Sequence, residues 1–248
     1  MSKSVALITG SGKGIGAKTA MRLADEGFSI VLNYKDSQRD AGIIKQQIIQ
    51  KGSECIAVQA DVSQEHDVSK LFDAVDKLGR LAVLVNNAGI LEVQSRLEGI
   101  SPERFKRILE VNVMSCFLCT KEAIKRMSTK DGGIGGSIIN VSSIAAKSGA
   151  PNEYVDYAAS KGAIDSFTRG SALEVAGEGI RVNGVRPALI KTTMHALGGE
   201  VDRVERLKNV IPMGRGGTPE EVAETIVWLA SERSSYVTGS CIDCSGGL

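Results

Sequence analysis

The sequence predicts an α/β fold in which a parallel sheet is covered by helices on both faces. Three observations carry that expectation. Short strand-like apolar runs alternate with helix-period patterns from end to end, which implies successive βαβ units. A glycine-rich turn follows the first run and opens the first helix, the position that phosphate-binding turns take in such sheets. A chain of 248 residues, 42% hydrophobic and 24% charged, suits a soluble globular protein of one large domain or two small ones.

The first run, Val5–Thr9, leads into Thr9-Gly10-Ser11-Gly12-Lys13-Gly14-Ile15-Gly16 and a helix over 15–26. Gly10 permits a tight bend, Gly14 lets the backbone approach a pyrophosphate, and Gly16 lets the helix pack on the sheet. The helix N-terminus adds free N–H donors and a positive dipole end for an anion. The spacing is G-x-x-x-G-x-G rather than the commoner G-x-G-x-x-G. The second run, Ser29–Asn33, continues into Tyr34-Lys35. An Asp or Glu ending this strand usually holds a free ribose 2′-OH. Asn33 carries no charge, and Lys13 and Lys35 supply positive charge for a 2′-phosphate, so the pattern favours NADP. An ammonium 4 Å from a phosphate charge is worth about 4 kcal/mol at an effective dielectric of 20. Asp36, one residue on, keeps NAD open as the alternative.

A helix over 38–51, a run Cys55–Gln59, a helix over 64–78 and a run Leu81–Asn86 follow. The next helix is expected over 102–127, with Asn112 interrupting its apolar face. Gly132-Gly133-Ile134-Gly135-Gly136 reads as a loop before the run Ser137–Val141, and Ser143 follows at a carboxyl end, where open α/β sheets build their sites. In the helix over 155–177, Tyr157 and Lys161 share one face at i and i+4. With four Tyr and 16 Lys such a pair arises by chance in about one chain of four, so it gains meaning only from its companions. The chemistry is coherent. A free phenol titrates near 10, and general acid–base work near pH 7 wants it about three units lower, or about 4 kcal/mol. The Lys161 ammonium, with an oxidised nicotinamide, would supply that. Ser143 would polarise a substrate oxygen. Asn112 would hold a water linking Lys161 to solvent. After the run Arg181–Arg186, the stretch 189–216 breaks the alternation, carries a short helical pattern from Val201 to Asn209, and reads as a substrate lid. A helix over 219–231 and a run Ser240–Asp243 complete the chain.

Taken together, Thr9-Gly10-x-x-x-Gly14-Ile15-Gly16, Asp61-Val62, Asn86-Asn87-Ala88-Gly89, Asn112, Val141-Ser142-Ser143, Tyr157-x-x-x-Lys161 and Pro187-x-x-Ile190-x-Thr192 resemble the short-chain dehydrogenase/reductase family across essentially the whole chain. The resemblance implies a single Rossmann-type, doubly wound domain with a seven-stranded parallel sheet, usually a homotetramer, and NADP(H)-dependent reduction of a carbonyl such as a 3-oxoacyl group. By carry-over, Asp61 would contact the adenine amine and Val62 the ring. Asn86 and Ala88 would line the adenosine side, with Asn87 and Gly89 beside them. Lys161 would also reach the nicotinamide ribose, and Ile190 and Thr192 would meet the carboxamide above Pro187. The chain looks similar to 3-oxoacyl carrier-protein reductases and to glucose 1-dehydrogenases, so a sugar dehydrogenase stands as the alternative and a non-catalytic dinucleotide-binding regulator as a remote one. The sequence departs from the family pattern in three ways. Ala188 follows Pro187 where Gly is usual. The spacing from Ser143 to Tyr157 is one residue long, which makes Tyr154 a decoy because no Lys stands four residues after it. Leu173 replaces an Arg that helps dock an acidic carrier. The tetramer would form on the helices near 102–127 and 155–177, where Val111-x-Val113-Met114 through Phe117-Leu118 is apolar.

Thirty basic and 29 acidic residues leave a net charge of +1, which gives no support to a nucleic-acid or membrane partner. No apolar run reaches the roughly 20 residues of a membrane helix, and no signal core precedes Val5, so a cytoplasmic protein is expected. Five cysteines, an odd count, argue against a disulfide scaffold. Cys116/Cys119 and Cys241/Cys244 are C-x-x-C pairs, but the second would point to opposite faces of a strand, so no metal is expected. His66 is expected in solvent; His195, in the lid, is expected on the surface, with a place facing the substrate as the alternative, and Lys121, Lys125 and Arg126 are expected on a solvated helix face.

Overall fold

The computed structural model describes residues 3–248. Period-2 alternation along the strands decides the layers. In β1 (Ser4–Ile8), Val5 and Leu7 enter one buried cluster while Ala6 and Ile8 enter the other. Each cluster is closed by helices whose apolar stripes recur with helical period. Helices α1 (Gly14–Asp25), α2 (Gln38–Gln50) and α10 (Pro219–Ala230) close one face through residues such as Leu23, Ile48 and Ile226. Helices α3 (Glu65–Leu78), α5 (Ser115–Met127) and α7 (Val155–Val175) close the other through Phe72, Met127 and Ala172.

The remaining strands are β2 (Ser29–Tyr34), β3 (Cys55–Gln59), β4 (Arg80–Asn86), β5 (Gly136–Val141), β6 (Ile180–Pro187) and β7 (Cys241–Cys244). All seven are parallel, in the order β3-β2-β1-β4-β5-β6-β7. The order reverses between β1 and β4, and ligands bind outside the carboxyl ends of the strands at such a switch point. The seven expected runs all form strands, with ends shifted by a residue. No helix among the described residues is long and apolar enough to cross a membrane.

The helical regions needed more correction. The expected helix over 102–127 is α4 (Pro102–Leu109), a π-helical stretch Glu110–Met114, and α5. The π stretch accommodates an extra residue at Asn112, whose side chain is drawn away to neighbouring elements, and such bulges cluster at functional sites. Periodicity cannot register one inserted residue in a continuous helix. Helix α7 ends at Val175 and a 3₁₀ turn, Ala176–Glu178, closes it at left-handed Gly179. The single helical stretch expected over Val201–Asn209 is α9 (Arg203–Leu207) and a 3₁₀ turn Lys208–Val210, and a further short helix α8 (Met194–Leu197) precedes it. Between β5 and α7 lies one more short helix, α6 (Ala145–Ser148).

Candidate active site

The glycine turn is held from below by short polar side chains. Thr9 Oγ1 accepts from the Asn87 and Ala88 N–H groups, and Asn87 Nδ2 donates to the Thr9 and Gly10 carbonyls at 2.9 and 3.0 Å. The turn is so close to the chain after β4 that a Cβ on Gly10 would stand 2.9 Å from Ala88 Cα, and one on Gly16 would stand 2.5 Å from Asn87 Nδ2. Gly14 has φ +55° and opens α1, with Thr192 across from it at 3.5 Å from a built Cβ. This N-terminus offers a pyrophosphate free backbone N–H groups with no Cβ at Gly10, Gly14 or Gly16 in the way, so these residues fit a dinucleotide.

Three expectations at this end, for Asn33, Ser11 and Asn86, need correction. Asn33 does not face the ribose: it is 2% exposed, its Oδ1 accepts from Gly10 N at 3.1 Å, and its Nδ2 donates to the Ala60 carbonyl at 2.9 Å. It braces the turn, and a carboxylate there would face the Ala60 carbonyl. Ser11 is likewise fully buried, and its hydroxyl is spent on the Ile8 and Asn33 carbonyls. Asn86 is not on the adenosine side either: its Nδ2 donates to Thr120 and Asn140 inside the core. Val62, 6% exposed, packs in the same core cluster as Leu71 and Phe72, and Tyr34 is buried at 9%. The charged residues pair among themselves. Lys35 lies 2.6 Å from Asp61, and Lys13 lies 3.0 Å from Asp40. Burial works against the Asp61 charge, but Lys35 and Ser63 together hold its carboxyl below the usual carboxylate range. Ser37, which the sequence reading passed over, sits against the turn, with its Oγ only 2.2 Å from a Cβ built on Gly12.

The four expected catalytic residues converge. Ser143 stands beyond β5, Tyr157 and Lys161 on the first turns of α7, and Asn112 on the π stretch. A Cβ built on Gly89 would lie 3.3 Å from Asn112 Oδ1 and 3.6 Å from Lys161 Nζ. Lys161, 5% exposed, donates to the Val141 carbonyl at 2.7 Å and places its ammonium 5.5 Å from the Tyr157 ring centroid. Burial lowers the Lys161 pKa to about 8 and raises the Tyr157 phenol to about 12, the Ser143 hydroxyl pulling the phenol the other way. Asn112 differs from expectation. Its Oδ1 accepts from Ile90 N, and its Nδ2 donates to the Ile90 carbonyl and Ser160 Oγ. The side chain is committed to protein groups and is not free to hold a water. Ala188 fits its turn without strain: its N–H donates to the Cys244 carbonyl and its φ is not positive.

A cavity of about 480 Å³ joins Ser143, Tyr157 and Lys161 to Ile15, Asn87 and Gly89 and to Pro187, Ile190 and Thr192. Its far wall was not legible. Tyr154 has no proton-transfer partner, yet it is 4% exposed, lines the cavity and donates to the Gly198 carbonyl at 3.2 Å. Arg203 stacks over its ring at 5.1 Å and bridges Glu153 and Glu200. Asp156, 1% exposed, binds Arg104 at 2.7 Å and accepts from the Tyr157 N–H, which fixes the start of α7. The glutamate and arginine spacings carried no signal beyond the break in alternation. His195, expected on the surface, is half-buried in the cavity wall, with Nε2 2.9 Å from the Ile190 carbonyl, while His66 is exposed. Cys116 and Cys119 are buried on α5, and Cys241 and Cys244 do point apart, toward Asp165 and Thr225. No group of three or more His, Cys, Asp or Glu among the described residues is placed to hold a metal ion.

Comparison with known proteins agrees with this geometry. A family model described as enoyl-(acyl carrier protein) reductase matches residues 10–248. The uncharacterized oxidoreductase YgfF of Escherichia coli strain K12 is 54% identical over 245 residues, 98% of this chain and 99% of that protein. A 3-oxoacyl-(acyl-carrier-protein) reductase of Synechocystis is 38% identical over 250 residues, 100% of this chain and 98% of that protein. Among solved structures, a 3-ketoacyl-(acyl-carrier-protein) reductase from Brucella melitensis complexed with NADH superposes with a TM-score of 0.90 at 35% identity, covering 98% of this chain and 97% of that one.

Proposed function

The chain belongs to the short-chain dehydrogenase/reductase family of oxidoreductases, and we propose that it reduces a ketone to a secondary alcohol with NADP(H), Tyr157 serving as general acid. The observation that carries this reading is the convergence of Ser143, Tyr157 and Lys161 on one cavity whose other end meets the glycine turn. A reduced nicotinamide, when bound, supplies the hydride. The protein's own groups do the rest. The Ser143 hydroxyl donates to the carbonyl oxygen and holds it beside the phenol. Tyr157 passes its proton to that oxygen. Lys161, anchored to the Val141 carbonyl, faces the phenolate left behind and lowers its cost. Burial alone pushes the phenol the wrong way, to about 12, so nearby positive charge is what makes it an acid near neutral pH.

Lys13, in the glycine turn, and Lys35, after the second strand, are both exposed and pair with Asp40 and the partly buried Asp61, at 3.0 and 2.6 Å, pairs that a 2′-phosphate would displace. That supports NADP over NAD. The stretch 189–216 lies over the cavity through Met194, Leu207 and Val210 and is read as a substrate lid. Met114 and Phe117 stay 45% and 44% exposed, with Phe117 edge-on to Phe167 of α7, while Leu118 belongs to the core. That exposed pair supports a homotetramer built on α5 and α7, which light scattering would test, a monomer at micromolar concentration sinking it. The function itself is tested by a panel of ketones and alcohols with NADPH and NADH, followed by nicotinamide absorbance. The expected result is ketone-dependent oxidation, faster with NADPH. Cofactor binding without turnover of any carbonyl or alcohol would overturn the reading.

A further inference from the structure

We propose that the substrate is a compact, neutral, largely apolar ketone carrying one hydrogen-bond donor, and that His195 Nδ1 receives that donor. This deepens the oxidoreductase reading and rests on it. The far wall of the cavity is Leu91, Ile144, Met194, Leu207, Val210 and Leu248. Such a wall favours apolar surface and leaves the hydroxyls of a sugar unpaired, which a site penalises heavily. The buried polar groups beside that wall are already engaged. The Tyr154 hydroxyl donates to the Gly198 carbonyl at 3.2 Å. The Arg203 guanidinium is shared between Glu153 and Glu200, so it offers no free charge for a carboxylate or phosphate. Ser148, at the exposed rim, accepts from Ala150 N.

His195 is the exception. Its Nε2 stands 2.9 Å from the Ile190 carbonyl, and a carbonyl can only accept, so the proton sits on Nε2. Nδ1 is then a bare lone pair. It is buried and finds no hydrogen-bond partner among the described residues. A buried acceptor without a partner is uncommon and asks for a donor. The ring also stays neutral, because burial lowers its basicity and Arg203 adds to that against the pull of the Ile190 carbonyl and Glu200. The acceptor therefore persists at neutral pH. Nδ1 does not open onto the cavity in this structure, so α8, which carries His195 within the proposed lid, must shift on the substrate to bring Nδ1 to a hydroxyl or amide N–H.

The probe pair is cyclohexanone and 4-hydroxycyclohexanone, with glucose as the polyhydroxy control, assayed with wild type, His195→Leu and His195→Gln. Wild type is expected to prefer the hydroxyketone by about fivefold to tenfold in kcat/KM, the worth of one hydrogen bond. His195→Leu should bring the two ketones within about twofold of each other in kcat/KM, and His195→Gln, which retains a donor and an acceptor, should recover part of the preference. Equal rates on the two ketones in wild type, a preference that survives His195→Leu, or an equal loss on both ketones would each overturn the inference. The last outcome would assign His195 to bracing Ile190 alone. Failure of every ketone with both cofactors would overturn the oxidoreductase reading and this inference with it. Turnover without a His195-dependent difference would overturn this inference alone.

Discussion

The two ends of the cavity are built from different materials. At the cofactor end, short uncharged side chains tie the glycine turn to its neighbours: Asn33 and Asn87 bond to its backbone, Thr9 Oγ1 accepts from the chain after β4, and the turn offers a ligand mainly backbone. At the substrate end, long charged side chains bridge separate elements: Arg104 to Asp156, Arg203 to Glu153 and Glu200, Arg206 to Glu200. A backbone cradle tolerates few residues at each position, because a Cβ or a lost amide breaks it. A wall of ion pairs and apolar side chains can be assembled in many ways. The first kind of construction is therefore spelled out in the sequence, and the second is not.

Mutations at the junction of the two ends should have the largest effect. Tyr157→Phe removes the one phenol placed to move a proton and nothing that holds the cofactor, so turnover should fall by about a thousandfold or more while cofactor affinity stays within about threefold. Steady-state kinetics with fluorescence titration checks both, and retention of a tenth of the wild-type rate would assign the acid elsewhere. Lys161 at the same junction gives a pH signature. Its folded pKa, about 8, lies below its ordinary value, so the unfolded chain binds the proton more tightly. The resulting penalty is full below about pH 8 and fades as pH rises through the ordinary lysine range. Lys161→Met should thus stabilise the cofactor-free protein by about 1–3 kcal/mol at pH 7, with the gain vanishing above pH 10, although it loses activity. Thermal unfolding at several pH values reads this, and a gain that grows with pH would contradict it.

The cofactor end alone is probed by Gly16→Ala. The added Cβ would meet Asn87 Nδ2 at 2.5 Å and the Gly10 carbonyl at 2.7 Å, and the second is backbone that cannot swing aside. A cost of about 1–3 kcal/mol in stability is expected, with cofactor affinity falling tenfold or more. The substrate end is probed by Arg203→Leu, which frees Glu153, Glu200 and the Tyr154 ring together. If the lid reading is right, KM should rise about tenfold while cofactor affinity stays within about twofold. A cofactor defect as large as that of Gly16→Ala would erase the distinction between the two ends.

That distinction also explains what the sequence could say. The strands were legible because both faces of a parallel sheet are buried and leave dense apolar runs such as Ile138-Ile139 and Leu84-Val85. The convergence of Ser143, Tyr157 and Lys161 on one cavity was legible because the proposed proton transfer needs those residue types at those spacings. Asn33 was misread because strand periodicity says which face a residue takes but not whether a neighbouring turn has already engaged its amide. Lys35 and Asp61, assigned to different parts of a cofactor, turn out to face each other, a pairing set by the β2–β3 register, where Tyr34 opposes Gln59, rather than by sequence distance. The roles of Tyr154, Arg203 and His195 depend on the path of the loops, which no spacing in the chain encodes.

The smallest expected effect lies in the loop that joins the two ends. Between Ser143 and Tyr157, Ala150 has φ +44° and Asn152 has φ +63°. Asn tolerates this region, but for Ala it costs roughly 1–2 kcal/mol. The conformation is imposed by its surroundings: Tyr154 N donates to the Ala150 carbonyl at 3.0 Å, Ser95 N donates to the Glu153 carbonyl, and the Glu153 carboxylate is tied to Arg203. Ala150→Gly relieves the steric cost and adds about 0.4–1 kcal/mol of unfolded-state entropy against folding, which leaves a net gain of about 0.5–1 kcal/mol. Ala150→Val, β-branched at a positive φ, should lose more than the glycine gains. Because Ala150 lines the cavity, both changes should move KM for the ketone and leave cofactor affinity unchanged. Denaturant unfolding of the pair beside wild type measures the two signs. If Ala150→Gly destabilised the protein, the left-handed turn would be a conformation the loop chooses, and the wall it builds would not depend on the ion pair at Arg203 to hold it.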